Sequence, residues 1–413
     1  MRVLVATVGT THEPIVESVK TNDVDLVYLV HGRPFPGQHP SPLDVARRVL
    51  DYAGAMEKKV VQLEVEDPED VSSCVEAFKK LVKELADMKA DEVIVNFTGG
   101  TKPLSAAAFH VFATRAPFKV VFEYVGGAVR DDRGRVSGRM VVKKDYKTAV
   151  EEVADRVVAY VESYQFYLAL ERSKELPDTY TFLKKACTAL WLWDSFEHEE
   201  AVKIINEIGS EAEALLPLQA LGRIPENVVK LRSIGNRLVK ALKALKDCQN
   251  RGAELSTEDG HLAPLEFLAN AERRLKTRQY AEAVLRAYRA VEAAVQLRLL
   301  ENKVNPWNVN WQQIPNSREV LRKLECEENP PEHLTLWKGL QLLNIINPIS
   351  QIDEVVKNLQ FVSNLRNNSK LEHGYASVDE ENAKKAVEKA MEIVRMLLGE
   401  ERAQEIEKIR IFT

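Results

Sequence analysis

The sequence predicts an α/β domain with a mostly parallel, Rossmann-like sheet, followed by an all-α region. Three observations lead there. Over the first 145 or so residues short β-branched runs alternate with helical patterns; beyond residue 146 the strand signal gives way to segments rich in Leu, Ala, Glu and Lys; and 413 residues are enough for two or three domains, each with its own core. The strands read in order as RVLVATV, DLVYLV, KKVVQLEV, DEVIVNF and FKVVFEYV, apolar enough to be covered on both faces. Between them, residues 41–54 and 69–88 have helical periodicity, the second placing Val71, Val75, Phe78, Leu81, Val82 and Leu85 largely on one face. VFEYVGGAVRDDRGRVSGRMVVKK reads as a β-hairpin extending the sheet, with Gly134 free to take positive φ in its turn.

The helical part breaks at Pro177, around Gly222 to Pro225, at Gly252 to Gly260 and across NPWNVNWQQIPNS. The expected domains are therefore 1–145, a helical middle block 146–263, and a C-terminal helical domain 264–413. The last begins with two amphipathic helices. In the longer, Tyr280, Ala283, Val284, Ala287, Tyr288, Val291, Ala294 and Val295 follow the i, i+3, i+4 pattern. In the middle block, Trp191, Trp193 and Phe196 read as core.

Composition excludes several function classes. No apolar run approaches the roughly 20 residues of a membrane span. The opening MRVLVATVGTTHEP lacks a signal-peptide cleavage site and is expected to be kept as a first strand. Cys74, Cys187, Cys248 and Cys326 are scattered without CxxC pairing, which suggests neither zinc nor disulfides and fits a reducing, cytoplasmic compartment. The net charge of -5 argues against bulk nucleic-acid binding, so any RNA contact is expected to be local. His31 and His39 flank a proline-rich loop and are not read as metal ligands; no metal or cofactor is expected.

Ligands of open α/β sheets bind at the carboxyl ends of the strands. The first strand runs into Gly9-Thr10-Thr11-His12-Glu13-Pro14, with Pro14 suited to a first helical turn, and the fourth into Thr98-Gly99-Gly100-Thr101-Lys102-Pro103. Glycines let backbone approach a ligand, threonines supply hydroxyls and Lys102 can meet a phosphate. The order Gly-Gly-Thr-Lys lacks the earlier glycine of a Walker A loop, and no GxGxxG is present. Local sequence leaves open that TGGTK is only a tight βα turn, and that His12 is structural.

Far downstream, a helix is expected over about 352–373. Along one stripe, Val355, Leu359 and Val362 are followed by Arg366, Ser369 and His373, so a core-packing face continues as guanidinium, hydroxyl and imidazole. Such groups need polar partners. Arginine suits a phosphodiester because its planar fork binds two oxygens; histidine suits proton transfer near neutral pH. Gly374 is expected to end this helix, and Ser377 to Glu380 has the spacing of a capping box for the next. Glu292 either orients Arg366 or is a surface glutamate. The Arg-to-His spacing alone is weak, since Arg33 and His39 approximate it among three prolines.

Residues 1–145, on their TGGTK loop and first-strand loop, resemble the CRISPR-associated Rossmann-like sensor domains called CARF. The resemblance implies that Gly9, Thr10, Thr11, Thr98, Gly99, Gly100, Thr101 and Lys102 bind cyclic oligoadenylate, and that the chain is a homodimer. Residues 264–413, on Arg-Asn-Asn-Ser ending His-Gly, resemble HEPN ribonuclease domains. That resemblance implies catalytic roles for Arg366, His373, Asn367 and Ser369. Together the two have the layout of type III CRISPR ancillary ribonucleases. The function expected is metal-independent cleavage of single-stranded RNA, switched on by cyclic oligoadenylate as an allosteric activator, with DNA not cut for want of a 2′-OH. Two other readings stay open: a CARF sensor or regulator whose helical part is not catalytic, and a CARF domain that itself cleaves its cyclic activator.

Overall fold

The computed structural model describes residues 1–33, 40–127, 129–130, 136–137, 139–145, 147–216 and 219–412. They form two compact units, Met1–Val157 with Glu171–Tyr180, and Val158–Leu170 with Thr181–Thr413. His39 and the turn at Gly134 lie outside the described residues.

The first unit contains strands β1 (Arg2–Thr7), β2 (Leu26–Gly32), β3 (Lys59–Val65), β4 (Glu92–Asn96) and β5 (Lys119–Gly126), with helices α1 (Glu13–Thr21), α2 (Pro42–Ala55), α3 (Val71–Asp87) and α4 (Lys102–Arg115) between them. Beyond β5 come the short ribbon β6 (Val129–Arg130) and β7 (Val136–Ser137), then β8 (Val141–Asp145). The sheet order is β3-β2-β1-β4-β5-β8, parallel except for β8, which pairs antiparallel to β5 with Gly126 opposite Val141. This is the α/β fold and the sheet-extending hairpin that the strand pattern predicts.

Alternation along the strands separates two cores. Val3, Val5, Tyr28, Val93, Val95 and Phe122 pack with α3 and α4, through Phe78, Leu81 and Phe112 among others. Leu4, Ala6, Val27, Leu29, Ile94 and Val121 face α1 and α2, through Ile15, Val19, Val45 and Val49. Both faces are thus covered, as the apolar strands require. On α3 the predicted stripe holds except at its first residue: Val71 is exposed, because the helix starts there on its Asp70 cap and the first turn overhangs the core.

Among the described residues the second unit is built of helices and their connecting loops, with one isolated bridge between Ser369 and Ala376. Its breaks fall where the sequence places them; Gly252, for example, caps the helix Ile224–Arg251 at φ +67°, a conformation that costs other residues more. The helix Tyr280–Glu301 is central. It packs against Leu262–Lys276, Leu336–Ile346, Ile352–Asn368 and Glu380–Leu398, and its fully buried Ala283, Ala287, Ala290 and Ala294 allow these neighbours to come close. Val284, Val362, Ala383 and Ala386 form a small core beside it.

Two expectations about the C-terminal helices are corrected. The helix expected over 352–373 ends at Asn368, with Ser369 extended at φ −75°, ψ 154°. Asn367, Asn368 and Ser369 favour local side-chain and turn bonding over helix, so the apolar period did not carry the backbone on with it. The next helix, Glu380–Leu398, is capped not by a Ser377 box but by Asp379, whose carboxylate accepts the Asn382 N–H at 2.8 Å.

A buried ionic cluster ties the helix Thr181–Asp194 to Leu262–Lys276. Glu266, 2% exposed, accepts from Trp193 Nε1 at 3.2 Å and from Arg273 Nη2 at 2.6 Å, while Arg273 Nε reaches Asp194 at 2.8 Å. Trp193 is therefore core, as expected. Burial pushes the Glu266 carboxyl up, but Arg273 and His198 outweigh it and hold the carboxyl below its usual 4.5. With the folded value depressed, the cluster stabilises above that usual value and weakens as pH falls below it. Replacing Glu266 by Ala strands a buried guanidinium, and urea unfolding at neutral pH should show a loss of about 3–5 kcal/mol.

Candidate functional site

In the first unit the two strand-end loops lie against each other, backbone to backbone. A Cβ on Gly99 would sit 2.6 Å from the Thr7 carbonyl oxygen and 2.8 Å from Gly9 N; one on Gly9 would meet Gly100 N at 2.7 Å. Gly100 adopts φ +89°. The glycines are thus needed by the fold itself. Several hydroxyls are engaged as well: Thr98 Oγ1 accepts from Val125 N at 2.8 Å, and Thr101 caps α4 at the Leu104 N–H while donating to the Pro68 carbonyl. Thr7 Oγ1 donates to the Gly99 carbonyl at 2.6 Å.

What remains open to a ligand is the exposed Gly100, the exposed Lys102 side chain at the start of α4, and the exposed Thr10 with its neighbour Thr11. Thr10 and Thr11 line a cavity of about 640 Å³ with His12, Glu13, Asp44, Arg47 and Arg48. The pair of exposed arginines on α2 was not foreseen; the adjacent basic residues in DVARRVL were the available signal. His12 is half-buried, 3.5 Å from Glu13, whereas His31 is buried against its own backbone at the Gly32 carbonyl. Behind the TGGTK loop, Asn96 Oδ1 accepts the Thr98 N–H at 3.0 Å and Asn96 Nδ2 donates at 3.1 Å to Glu123. Glu123 is fully buried and also takes bonds from Asn22 and Ser18, a support that sequence reasoning missed.

In the second unit Arg366 lies in the last turn of its helix. Its guanidinium stacks on Tyr288, 4.6 Å from the ring centroid, donates from Nη1 to Asn367 Oδ1 at 3.0 Å, and donates from Nη2 to Glu372 Oε1 at 2.7 Å. Burial, then the Glu292 charge, push the Tyr288 hydroxyl above its usual value, so the ring stays a neutral platform. Glu292 itself pairs with Arg289 at 3.1 Å and does not orient Arg366.

His373 is not on the helix. It projects from a loop whose ends are tied together: Ala376 N donates to the Asn368 carbonyl at 2.9 Å, Lys370 N to the Ala376 carbonyl at 3.2 Å and Gly374 N to the Ser369 carbonyl at 3.2 Å. Gly374 therefore closes this loop and does not end the helix; a Cβ there would fall 2.1 Å from the Asn368 carbonyl oxygen. The His373 side chain is 80% exposed, with Nε2 at 3.8 Å from Glu372 Oε2. The Glu372 carboxylate thus accepts from Arg366 and lies near the imidazole, beyond hydrogen-bond distance of it. Ser369 is 1% exposed and its hydroxyl has no hydrogen-bond partner among the described residues, so it is closed to solvent in this structure. Glu372 and Tyr288, which sequence reasoning missed, are what hold Arg366 in place.

Gly99→Ala should cost about 1–3 kcal/mol in urea unfolding, since backbone on both sides must move. Gly54→Ala, in α2 with nothing near its Cβ direction, should instead stabilise by about 0.5–1 kcal/mol. The contrast separates a glycine required by contact from one that is merely tolerated.

The chain matches two family models, the Card1 CARF domain over residues 45–130 and the Csm6 HEPN domain over residues 256–397. No curated protein matches. Among solved structures, Enterococcus italicus Csm6 bound to cyclic hexa-2′-fluoro-hexa-dAMP aligns with 99% of this chain and 98% of that one, at a TM-score of 0.51 and 13% identity. Can2 from Sulfobacillus thermosulfidooxidans, in complex with cyclic tetra-adenylate, aligns with 59% of this chain and 66% of that one, at a TM-score of 0.24 and 15% identity. The likeness to Csm6 is one of fold, and it agrees with the two domain matches. The chain thus matches a CARF domain in its N-terminal part and a HEPN domain in its C-terminal part.

Proposed function

We propose that this protein is an endoribonuclease that cuts single-stranded RNA without a metal when cyclic oligoadenylate occupies its CARF domain. The observation that carries the reading is the solvent-facing His373 on the loop that follows Arg366 in a matched HEPN domain, with Glu372 near both. The substrate's 2′-OH attacks the adjacent phosphorus, so a 2′-O–P bond forms and the P–O5′ bond breaks. The proton from the 2′-OH leaves to a base, and another goes to the departing 5′ oxygen. His373 serves proton transfer, and Arg366 binds the phosphate and stabilises the charge that develops on it. Asn367 orients Arg366 through its amide oxygen.

The CARF ligand is a cyclic oligoadenylate held by Lys102, the Gly99-Gly100 backbone and the Thr10-Thr11 loop; a cyclic oligonucleotide is what the structurally similar Enterococcus italicus Csm6 is bound to. The active form is a homodimer, which would bring two His373 residues together. The exposed Tyr375 (93%) and Leu371 flanking that histidine offer apolar surface for such pairing.

The test is incubation of pure protein with labelled single-stranded RNA and cyclic tri-, tetra- and hexa-adenylates, following RNA and ring together. At least one ring should stimulate cleavage in the presence of EDTA, leaving DNA of the same sequence intact. Arg366→Ala and His373→Ala should each lower the stimulated rate by about 10²- to 10⁴-fold. A wild-type rate in His373→Ala would overturn the assignment. Loss of the ring without RNA cleavage would move the activity to the CARF domain.

A further inference from the structure

The fork of the Arg366 guanidinium is already engaged. Arginine binds a phosphate through parallel N–H groups on one edge, and each terminal nitrogen here donates one N–H to a side chain, Nη1 to Asn367 and Nη2 to Glu372. Tyr288 covers a face of the group, and Nε is buried without a hydrogen-bond partner among the described residues. Asn367 is neutral and can share its donor with a phosphate oxygen. Glu372 is an anion, and a phosphodiester approaching the same edge meets a like charge.

Glu372 is also placed to be released. Its backbone is pinned in the closed loop, its N–H donating to the Ser369 carbonyl at 3.1 Å, while its side chain is in part open to solvent. A side-chain rotation is therefore enough to leave Arg366 without unfolding the loop. The same carboxylate lies 3.8 Å from His373 Nε2, so its movement also changes the charge beside the imidazole.

We propose that Glu372 is a latch on the nuclease site: its carboxylate holds the phosphate-binding edge of Arg366, and the RNA backbone must displace it. The inference rests on the function proposed above for Arg366. In the latched state the chain binds RNA weakly and cuts slowly; activation is the exchange of Glu372 for a phosphate on Arg366. A carboxylate that instead orients His373 for proton transfer would give the opposite response to losing its charge, which makes the two roles separable.

The experiment uses the full chain as wild type, Glu372→Gln, Glu372→Ala, and each of these combined with Arg366→Ala. The first readout is binding of a 2′-O-methyl single-stranded RNA, which cannot be cut, by fluorescence anisotropy over a range of KCl. The second is cleavage of the unmodified RNA with and without activating ring. Glu372→Gln keeps the side-chain shape and should bind the resistant RNA about tenfold more tightly, with a salt slope steeper by about one phosphate contact. That gain should vanish when Arg366→Ala is added. Cleavage without ring should rise by about tenfold, compressing the stimulation by ring. Glu372→Ala should act in the same direction, which guards against an effect peculiar to the amide. Unchanged binding in both variants, or slower cleavage with and without ring, overturns the latch. Should wild type cut no RNA with any ring, the proposed function fails, and the latch is then decided by the binding arm alone.

Discussion

A half-buried guanidinium cannot be left unpaired, and around Arg366 that constraint organises the end of the second unit. The helix Tyr280–Glu301 presents a face of alanines on which its neighbours settle closely, and Tyr288 rises from it as a platform for the guanidinium. Stacking fixes the plane of the group. Its two terminal nitrogens draw their acceptors from the helix end and the loop that follows, Asn367 and Glu372, while Nε finds none among the described residues. The position of His373 follows from that of Glu372, its neighbour on the loop. Alanine face, aromatic platform, cation, carboxylate and imidazole form one chain of dependence.

The fold was legible because its signals are local and periodic. Alternation by two wrote the strands, and the same alternation divides Val3 and Val5 from Leu4 and Ala6 into two cores. A period of 3.6 wrote the long helices. The geometry around Arg366 was not legible in the same way. Extrapolating the stripe of Val355, Leu359 and Val362 put His373 on a helix that stops at Asn368, since a run of Asn and Ser takes up its own backbone bonding. Tyr288 could be read as a core aromatic; its stacking under Arg366 joins positions far apart in sequence. Glu372 stood beside His373 in the motif, and only the closed loop shows that it turns back to Arg366.

The first unit shows a different limit. A threonine or glycine in a loop can serve a ligand or its own backbone, and sequence does not distinguish the two. Thr98 and Thr101 have their hydroxyls committed to Val125, Leu104 and Pro68, and Gly9 and Gly99 are required by the mutual approach of the loops. The same commitments hold the loop rigid. A loop so braced, with the buried Glu123 and Asn96 behind it, presents its exposed backbone and Lys102 in a fixed arrangement, the condition under which a ligand binds without first ordering its site.

The knot of backbone bonds between Asn368–Ser369 and Ala376 alters what the interval from arginine to histidine measures. On a continuous helix that interval would be an angle, tolerable only at values that return the imidazole to the same face. On a loop clasped at its base it is an arc length. Residues can be added to or taken from the arc without turning the helix or breaking the clasp, and the effect is to move the imidazole nearer to or farther from the guanidinium. The interval is thus a tether, free of helical pitch, and the clasp is what lets its length be set.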